Sequence, residues 1–212
     1  MPDDGEVIAT RVAWLELSDE RRQVREGYEL LDEKRMLLAG EIMRGLAAYA
    51  QLAARRGRQQ AEAQTATAGA LAACGCDGLA VEPPLDLRPA RLRVETARFL
   101  GIPVATVALE GGDGPAHPSL LPLPEVRGCA AAWLDLVRTA AESAALAGNL
   151  RRLAAEYVRT ERRARALENV VLPDIDATLQ RISEQLDAVD QEEAVRVRNA
   201  ARPAADPPPA AA

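Results

Sequence analysis

Large apolar residues recur every three or four positions along the first part of the chain. From Trp14 the alternating steps continue to Leu52, through about five heptads. A periodic run of this length exceeds the usual globular helix and predicts one strand of a coiled coil. The apolar members of this first seam are Trp14, Leu17, Val24, Tyr28, Leu31, Leu38, Ile42, Tyr49 and Leu52.

A second seam with the same spacing occupies the last third of the chain. Consecutive steps of four from Val171 to Ile175 to Leu179 form a stutter, which locally unwinds a left-handed supercoil. Pro173 lies inside the stutter, and because proline lacks an N–H and crowds the preceding turn, we expect a kink there. The interface members of this seam are Leu153, Tyr157, Leu167, Val171, Ile175, Leu179, Ile182, Leu186 and Val189.

These patterns divide the chain into four segments. We expect long helices over residues 10–73 and 129–200, joined by an insertion over residues 74–128 that is rich in glycine and proline. Short β-branched runs at about residues 90–109 predict a small β-hairpin within the insertion. The Pro- and Ala-rich residues 201–212 are expected to be a disordered tail, because they offer too little apolar surface to bury.

Each long helix needs a partner for its apolar stripe, so the two are expected to pack on one another. A compact insertion cannot travel the length of a long helix, and this favours an antiparallel return. The predicted fold class is therefore mainly α: a long antiparallel two-helix intramolecular coiled coil with a small central insertion containing a short β-hairpin.

Composition and charge exclude several classes of function. The chain has 212 residues, only 3% aromatic residues and a net charge of −6, with acidic residues and arginines interspersed. This mixture is typical of long solvated helices and gives no basic footprint for nucleic acid. The acidic amino terminus does not resemble a signal peptide and no stretch is apolar enough to span a bilayer, so we expect a cytoplasmic protein.

Candidate chemistry is sparse. The CxC pair Cys74 and Cys76, His117 and Cys129 are zinc-ligand residue types, but their spacing matches no standard zinc site. The GGDG sequence at residues 111–114 lacks the lysine and the setting of a phosphate loop. We therefore predict no catalytic, metal or cofactor-binding residues.

Two arginines interrupt the first seam. Arg21 and Arg35 occupy positions where an unpaired charge is costly unless its head reaches water or a carboxylate. They are interpreted either as snorkelling side chains at loosely paired positions or as breaks where a partner contacts the helices.

Four stretches carry a resemblance to a known family. The sequences TRVAWLEL and EGYELLDEKRMLLAGEI, and later TERRARALENVVLPDIDATLQRISEQLDAVDQEEAVRVR, resemble the amino- and carboxy-terminal signatures of the D subunit of V/A-type ATPases. RVETARFLGIPVATVAL is similar to the hairpin of that family. The signature positions singled out are Thr10, Arg11, Gly27, Lys34, Arg35, Arg162, Arg163, Glu168, Pro173 and Thr178.

The resemblance implies a non-catalytic central-stalk component of a V/A-type ATPase or ATP synthase. Such a shaft transmits torque between the catalytic hexamer of A and B subunits and the membrane rotor. It also implies contacts with the F subunit of the stalk and a membrane-side connector, and a peripheral position at the inner face of the cell membrane. Two alternatives stay open: a free-standing coiled-coil adaptor, and a metal-dependent or thiol enzyme that uses the insertion.

Overall fold

The computed structural model describes residues 9–112 and 123–200. Most of them are helical, and one two-stranded antiparallel sheet lies between the long helices in sequence. This confirms the predicted fold class. In chain order the elements are α1 (Arg11–Val81), β1 (Arg91–Phe99), β2 (Ile102–Glu110), α2 (Pro124–Ala166), a π-helical turn (Leu167–Val171) and α3 (Leu172–Ala200).

Helix α1 has a defined start and an internal break. The hydroxyl of Thr10 accepts a hydrogen bond from the N–H of Ala13 at 3.1 Å, which caps the first turn. The helix extends beyond the predicted end at residue 73, but Gly75 leaves the helical conformation with φ 71° and ψ 174°. Glycine adopts this conformation without the steric cost of a Cβ, so it marks the break that the sequence suggested as the end.

The chain divides into two compact units, and the first combines the described residues of Met1–Glu33 and Thr160–Ala212. Within it, Arg11 contacts Asp190 at 3.0 Å and Arg21 contacts Asp176 at 2.6 Å. Increasing residue numbers on α1 therefore meet decreasing numbers on α3, which is the predicted antiparallel arrangement.

The second unit, Lys34–Arg159, is also an antiparallel helix pair. Lys34 contacts Glu156 at 2.6 Å, and farther along the indole N–H of Trp133 donates to the Thr67 hydroxyl at 2.9 Å. Its apolar core joins the helices to the hairpin. The core residues are Leu38, Ile102 and Leu153, with Ile42, Phe99 and Tyr157 packed against them.

The hairpin lies one residue beyond its predicted bounds. Phe99 pairs with Ile102 across a two-residue turn, and pairing continues to Arg91 opposite Glu110. The turn residues Leu100 and Gly101 have φ of 48° and 84°. Two consecutive positive φ values define a type I′ turn, whose twist matches that of the flanking strands.

The phase slip in the second seam coincides with a change in helix type. The backbone N–H of Leu172 bonds to the carbonyl of Leu167, five residues back, and closes the π-helical turn. Pro173 follows directly, and its ring would crowd the carbonyl four residues before it in an α-helix. Ala164 and Ile175, on either side of the π turn, are both buried.

The described residues, 9–112 and 123–200, contain no helix that combines the length and the apolar character required to cross a bilayer. The predicted disordered tail at residues 201–212 lies outside the described residues.

Candidate functional site

The first predicted seam follows the inner face of α1. Only Leu38 among its members is fully buried, Trp14 is 38% exposed, and the others are half-buried. The same spacing continues to Ala63 and Ala70, which are also fully buried. The buried stripe is therefore longer than the predicted seam, which stopped at Leu52, because alanines carry it onward.

The second seam is buried at Leu153, Ile175 and Ile182. Tyr157, Leu167, Val171, Leu179 and Leu186 are half-buried. Val189, the last residue of the predicted seam, is 60% exposed. It lies beside Asp190, which pairs with the first residue of α1, so α1 offers little surface to cover it.

The signature residues fall into two groups. Thr10, Arg11 and Lys34 make the cap and ion pairs described above, and the Thr178 hydroxyl donates to the Asp174 carbonyl at 2.9 Å. Arg35 is half-buried. Four further signature residues are exposed: Arg162, Arg163, Glu168 and Pro173. The position of Gly27 is open, since an added Cβ would meet no atom within 4 Å.

Arg21, one of the two arginines in the first seam, pairs with a carboxylate of its own unit. Its guanidinium contacts the Asp176 carboxylate at 2.6 Å, and both side chains keep about half of their exposure. The charge in the seam is therefore paired at the edge of the helix contact, in a position that costs little desolvation.

The ends of the paired helices in the first unit present apolar surface. Arg11, Trp14 and Leu15 line a groove with Leu186 and Asp190, and Leu15 is 59% exposed. Beyond this groove every residue of α3 from Gln191 to Ala200 is exposed, including Val195 and Val197. Exposed apolar residues grouped in this way are suited to contact another protein.

In the second unit, α2 holds the hairpin by polar contacts that the sequence patterns did not predict. The side-chain amide of Asn149 accepts from the Ala105 N–H at 2.9 Å and donates to the Ala105 carbonyl at 2.8 Å. The Arg152 guanidinium donates to the Pro103 carbonyl at 2.9 Å. The sequence carries one signal for this contact. Asn149 is a polar residue among Leu146, Leu150 and Leu153, on the face of α2 that the apolar periodicity predicts to be buried.

The helices approach closely at Gly45. A Cβ added there would lie 2.8 Å from a terminal methyl carbon of Leu150. The antiparallel register brings Leu150 and Leu146 to this glycine.

The thiols do not assemble into a ligand cluster within the described residues. Cys74, Cys76 and Cys129 are free, and Cys129 contacts the Thr67 hydroxyl at 3.3 Å. No group of three or more metal-ligating side chains occurs in residues 9–112 and 123–200, and His117 lies outside them.

Paired antiparallel helices, a docked hairpin and exposed apolar helix ends define a helical protein whose surfaces are suited to contact other chains. Comparison with known proteins gives the family. The chain belongs to the family of the ATP synthase D subunit, whose model matches residues 13–202.

Two curated relatives match about nine tenths of this chain. The D subunit of a V-type ATP synthase from Anaeromyxobacter dehalogenans is 32% identical over 204 residues, covering 89% of this chain and 92% of that protein. The D subunit of an A-type ATP synthase from Methanopyrus kandleri is 25% identical over 197 residues, covering 91% and 84% respectively. The relatives of this chain thus include D subunits of both A-type and V-type ATP synthases.

Proposed function

We propose that this chain is the non-catalytic central shaft of its ATP synthase and transmits torque between catalysis and ion movement. The observation that carries the proposal is a D-subunit match over residues 13–202 on a chain built from antiparallel helix pairs. In this role the chain needs no catalytic group, cofactor or metal of its own.

Helix pairing provides the mechanical property that a shaft requires. A single helix bends and twists easily, whereas two helices with interlocked side chains resist slipping past each other. In the second unit Leu150 packs into the space left by Gly45, and Lys34 pairs with Glu156 across the helices. In the first unit Arg11 and Arg21 reach the opposite helix. The exposed ion pairs contribute little stability, so the apolar seam supplies most of the resistance.

The proposed partners follow from the resemblance and from the exposed surfaces. The amino terminus and the end of α3 would contact the hexamer of A and B subunits, through Trp14, Leu15, Val195 and Val197. The F subunit of the stalk would bind alongside the helices, and a connector protein would join the hairpin end to the membrane rotor. The complex would be peripheral at the inner face of the cell membrane.

A truncation series in the intact complex tests the shaft role. The tagged chain would be isolated with its complex from native membranes, and ATP hydrolysis and ATP-driven ion pumping would be measured in vesicles. Ending the chain after Asp190 removes the exposed end of α3 but keeps the Arg11–Asp190 and Arg21–Asp176 pairs. We expect this variant to lose pumping to a greater extent than hydrolysis. Ending it before Pro173 removes both pairs and should abolish coupling.

The matched control removes only residues 203–212 and should leave both activities unchanged. Recovery of the A and B subunits with ATPase activity is part of the expected result. Isolation of the tagged chain as a homo-oligomer, without ATPase subunits, would instead favour the free-standing coiled-coil adaptor. Full pumping by the chain that ends before Pro173 would contradict torque transmission through α3.

A further inference from the structure

The two outer edges of the hairpin differ in whether their backbone groups are already hydrogen-bonded. On β2, the outward backbone groups of Pro103 and Ala105 are occupied by Arg152 and Asn149. An edge whose backbone groups are already bonded cannot accept another strand there. Helix α2 therefore closes this edge of the sheet over these residues.

The outer edge of β1 is open. Because Phe99 and Ile102 flank a two-residue turn, their pair exchanges both backbone hydrogen bonds, and the pattern then alternates along the ladder. The N–H and C=O groups of Leu92, Val94, Thr96 and Arg98 consequently point away from β2. Across the described part of the chain, no backbone hydrogen bond outside the ladder reaches these four residues.

Exposure confirms that the described residues leave β1 uncovered. Every residue from Arg91 to Arg98 is exposed, and Leu92 and Val94 retain 60% and 56% of their accessible surface. A strand of nine residues with exposed apolar side chains is a template for pairing with another chain.

The side chains of β1 specify what kind of strand would fit. Arg91 and Arg93 lie on one face, and Leu92 and Val94 lie on the other. The strand carries three arginines and one glutamate, in a chain whose net charge is −6. Arg93 already pairs with Glu95 at 2.8 Å and with Glu110 at 3.4 Å, through exposed side chains. A complementary strand would place acidic residues beside Arg91 and Arg93, where they would compete with these weak exposed pairs, and apolar residues beside Leu92 and Val94.

We propose that β1 is a docking edge that accepts an extended, acidic segment of a partner protein as the third strand of this sheet. The bound strand would bond to the outward groups of Leu92, Val94, Thr96 and Arg98. The clamp by Asn149 and Arg152 on β2 directs the partner to β1 and holds the hairpin against α2 while the strand binds.

A second copy of this chain is a poorer occupant of the same edge. Pairing of β1 with another β1 would bring two strands with an excess of arginine together, and like charges on neighbouring strands are destabilising. The arginines thus discourage self-association of an exposed edge while attracting an acidic strand.

The proposal is independent of the shaft role and is tested on the isolated full chain. A synthetic peptide of nine residues, the length of β1, with alternating glutamate and valine would be titrated into ¹⁵N-labelled protein. We expect the amides of Leu92, Val94, Thr96 and Arg98 to shift and become protected from hydrogen exchange, with binding weakened by salt. A matched peptide with lysine in place of glutamate should cause neither effect.

Two variants separate edge pairing from general attraction. Val94→Pro removes one outward N–H and none of the ladder bonds of the hairpin, so binding should weaken about tenfold. Val94→Ala keeps that N–H and should bind more strongly than the proline variant. Val104 pairs with Ala97 inside the ladder, so faster hydrogen exchange at its amide would show that proline has opened the hairpin. In that case the double variant Arg91→Glu and Arg93→Glu replaces the proline variant. It should bind the lysine peptide in preference to the glutamate peptide.

Several results would overturn the proposal. These are no response to the glutamate peptide, equal responses to both peptides, wild-type binding by Val94→Pro, or an unchanged preference after charge reversal. Concentration-dependent dimerisation with protection of the same four amides would assign the edge to a second copy of the chain.

Discussion

The side-chain amide of Asn149 forms two hydrogen bonds with Ala105, one to each backbone group, at 2.9 and 2.8 Å. An asparagine on α2 thus bonds to the edge of β2 as a neighbouring strand would. A hairpin of two strands is marginally stable by itself in water, so this contact matters for its position.

Replacing Asn149 with Ala should destabilise the chain by about 1–3 kcal/mol, because two backbone groups lose their partners. Urea denaturation gives the change in stability, and hydrogen exchange at the Ala105 amide should accelerate. Asn149→Asp keeps the acceptor for the Ala105 N–H but turns a carboxylate oxygen toward the carbonyl, so it should also destabilise. Arg151→Ala, an exposed change on the same helix, serves as the control. Equal effects of Arg151→Ala and Asn149→Ala would contradict the clamp.

Thr10→Ala should cost about 1 kcal/mol, because the N–H of Ala13 loses the hydroxyl that caps α1. Fraying should be visible as faster hydrogen exchange in the first turn of the helix. Thr10→Ser keeps the hydroxyl and should retain most of the stability. A serine variant as unstable as the alanine variant would show that the threonine methyl group, and not the cap, is responsible.

Gly27→Ala should stabilise the isolated chain by about 0.5–1 kcal/mol, since the added Cβ meets no atom within 4 Å and alanine favours the helix. Gly57→Ala is the matched control, because its Cβ position is also open. Thermal unfolding of both variants measures the gain. A loss of coupled pumping with Gly27→Ala alone would indicate that a partner approaches α1 at this signature glycine. Destabilisation of the isolated chain would contradict the open position.

Gln59→Met should stabilise the second unit by about 1 kcal/mol. The Gln59 side-chain oxygen is buried and accepts no hydrogen bond from the described residues, and a buried polar atom without a partner is costly. Gln60, its exposed neighbour, provides the control, and Gln60→Met should change the unfolding free energy little. A loss of stability in the Gln59 variant would show that this oxygen has a partner such as an ordered water.

Pro173→Ala should change coupling between ATP hydrolysis and ion pumping more than it changes stability. The proline follows the π-helical turn at Leu167–Val171, so its removal allows this segment to return to a regular α-helix and rotates the residues beyond it. Circular dichroism and urea denaturation measure stability, and pumping per ATP hydrolysed measures coupling.

The control is Pro124→Ala, at the first residue of α2, where proline fits a helix without strain. Unchanged coupling in Pro173→Ala would contradict a role for the irregular turn.

The helical class, the antiparallel return and the position of the hairpin are all predictable from local patterns in the sequence. Heptad spacing from Trp14 to Leu52 and from Leu153 to Leu186 indicates which face of each helix is buried. This spacing is a local property of the chain. The β-branched runs around Leu100 and Gly101 similarly encode a tight turn. Family signatures that include Lys34 and Pro173 then indicated the family.

Details that depend on contact between two segments distant in sequence could not be predicted from local patterns. The pairing of Lys34 with Glu156 and the choice of Leu150 as the neighbour of Gly45 follow from the register between helices, which periodicity does not fix. The exposure of Val189 has the same origin, because it depends on where α1 begins opposite α3. The contact of Asn149 with Ala105 closes one edge of the hairpin and leaves β1 open, an asymmetry that exists only once the hairpin packs on α2.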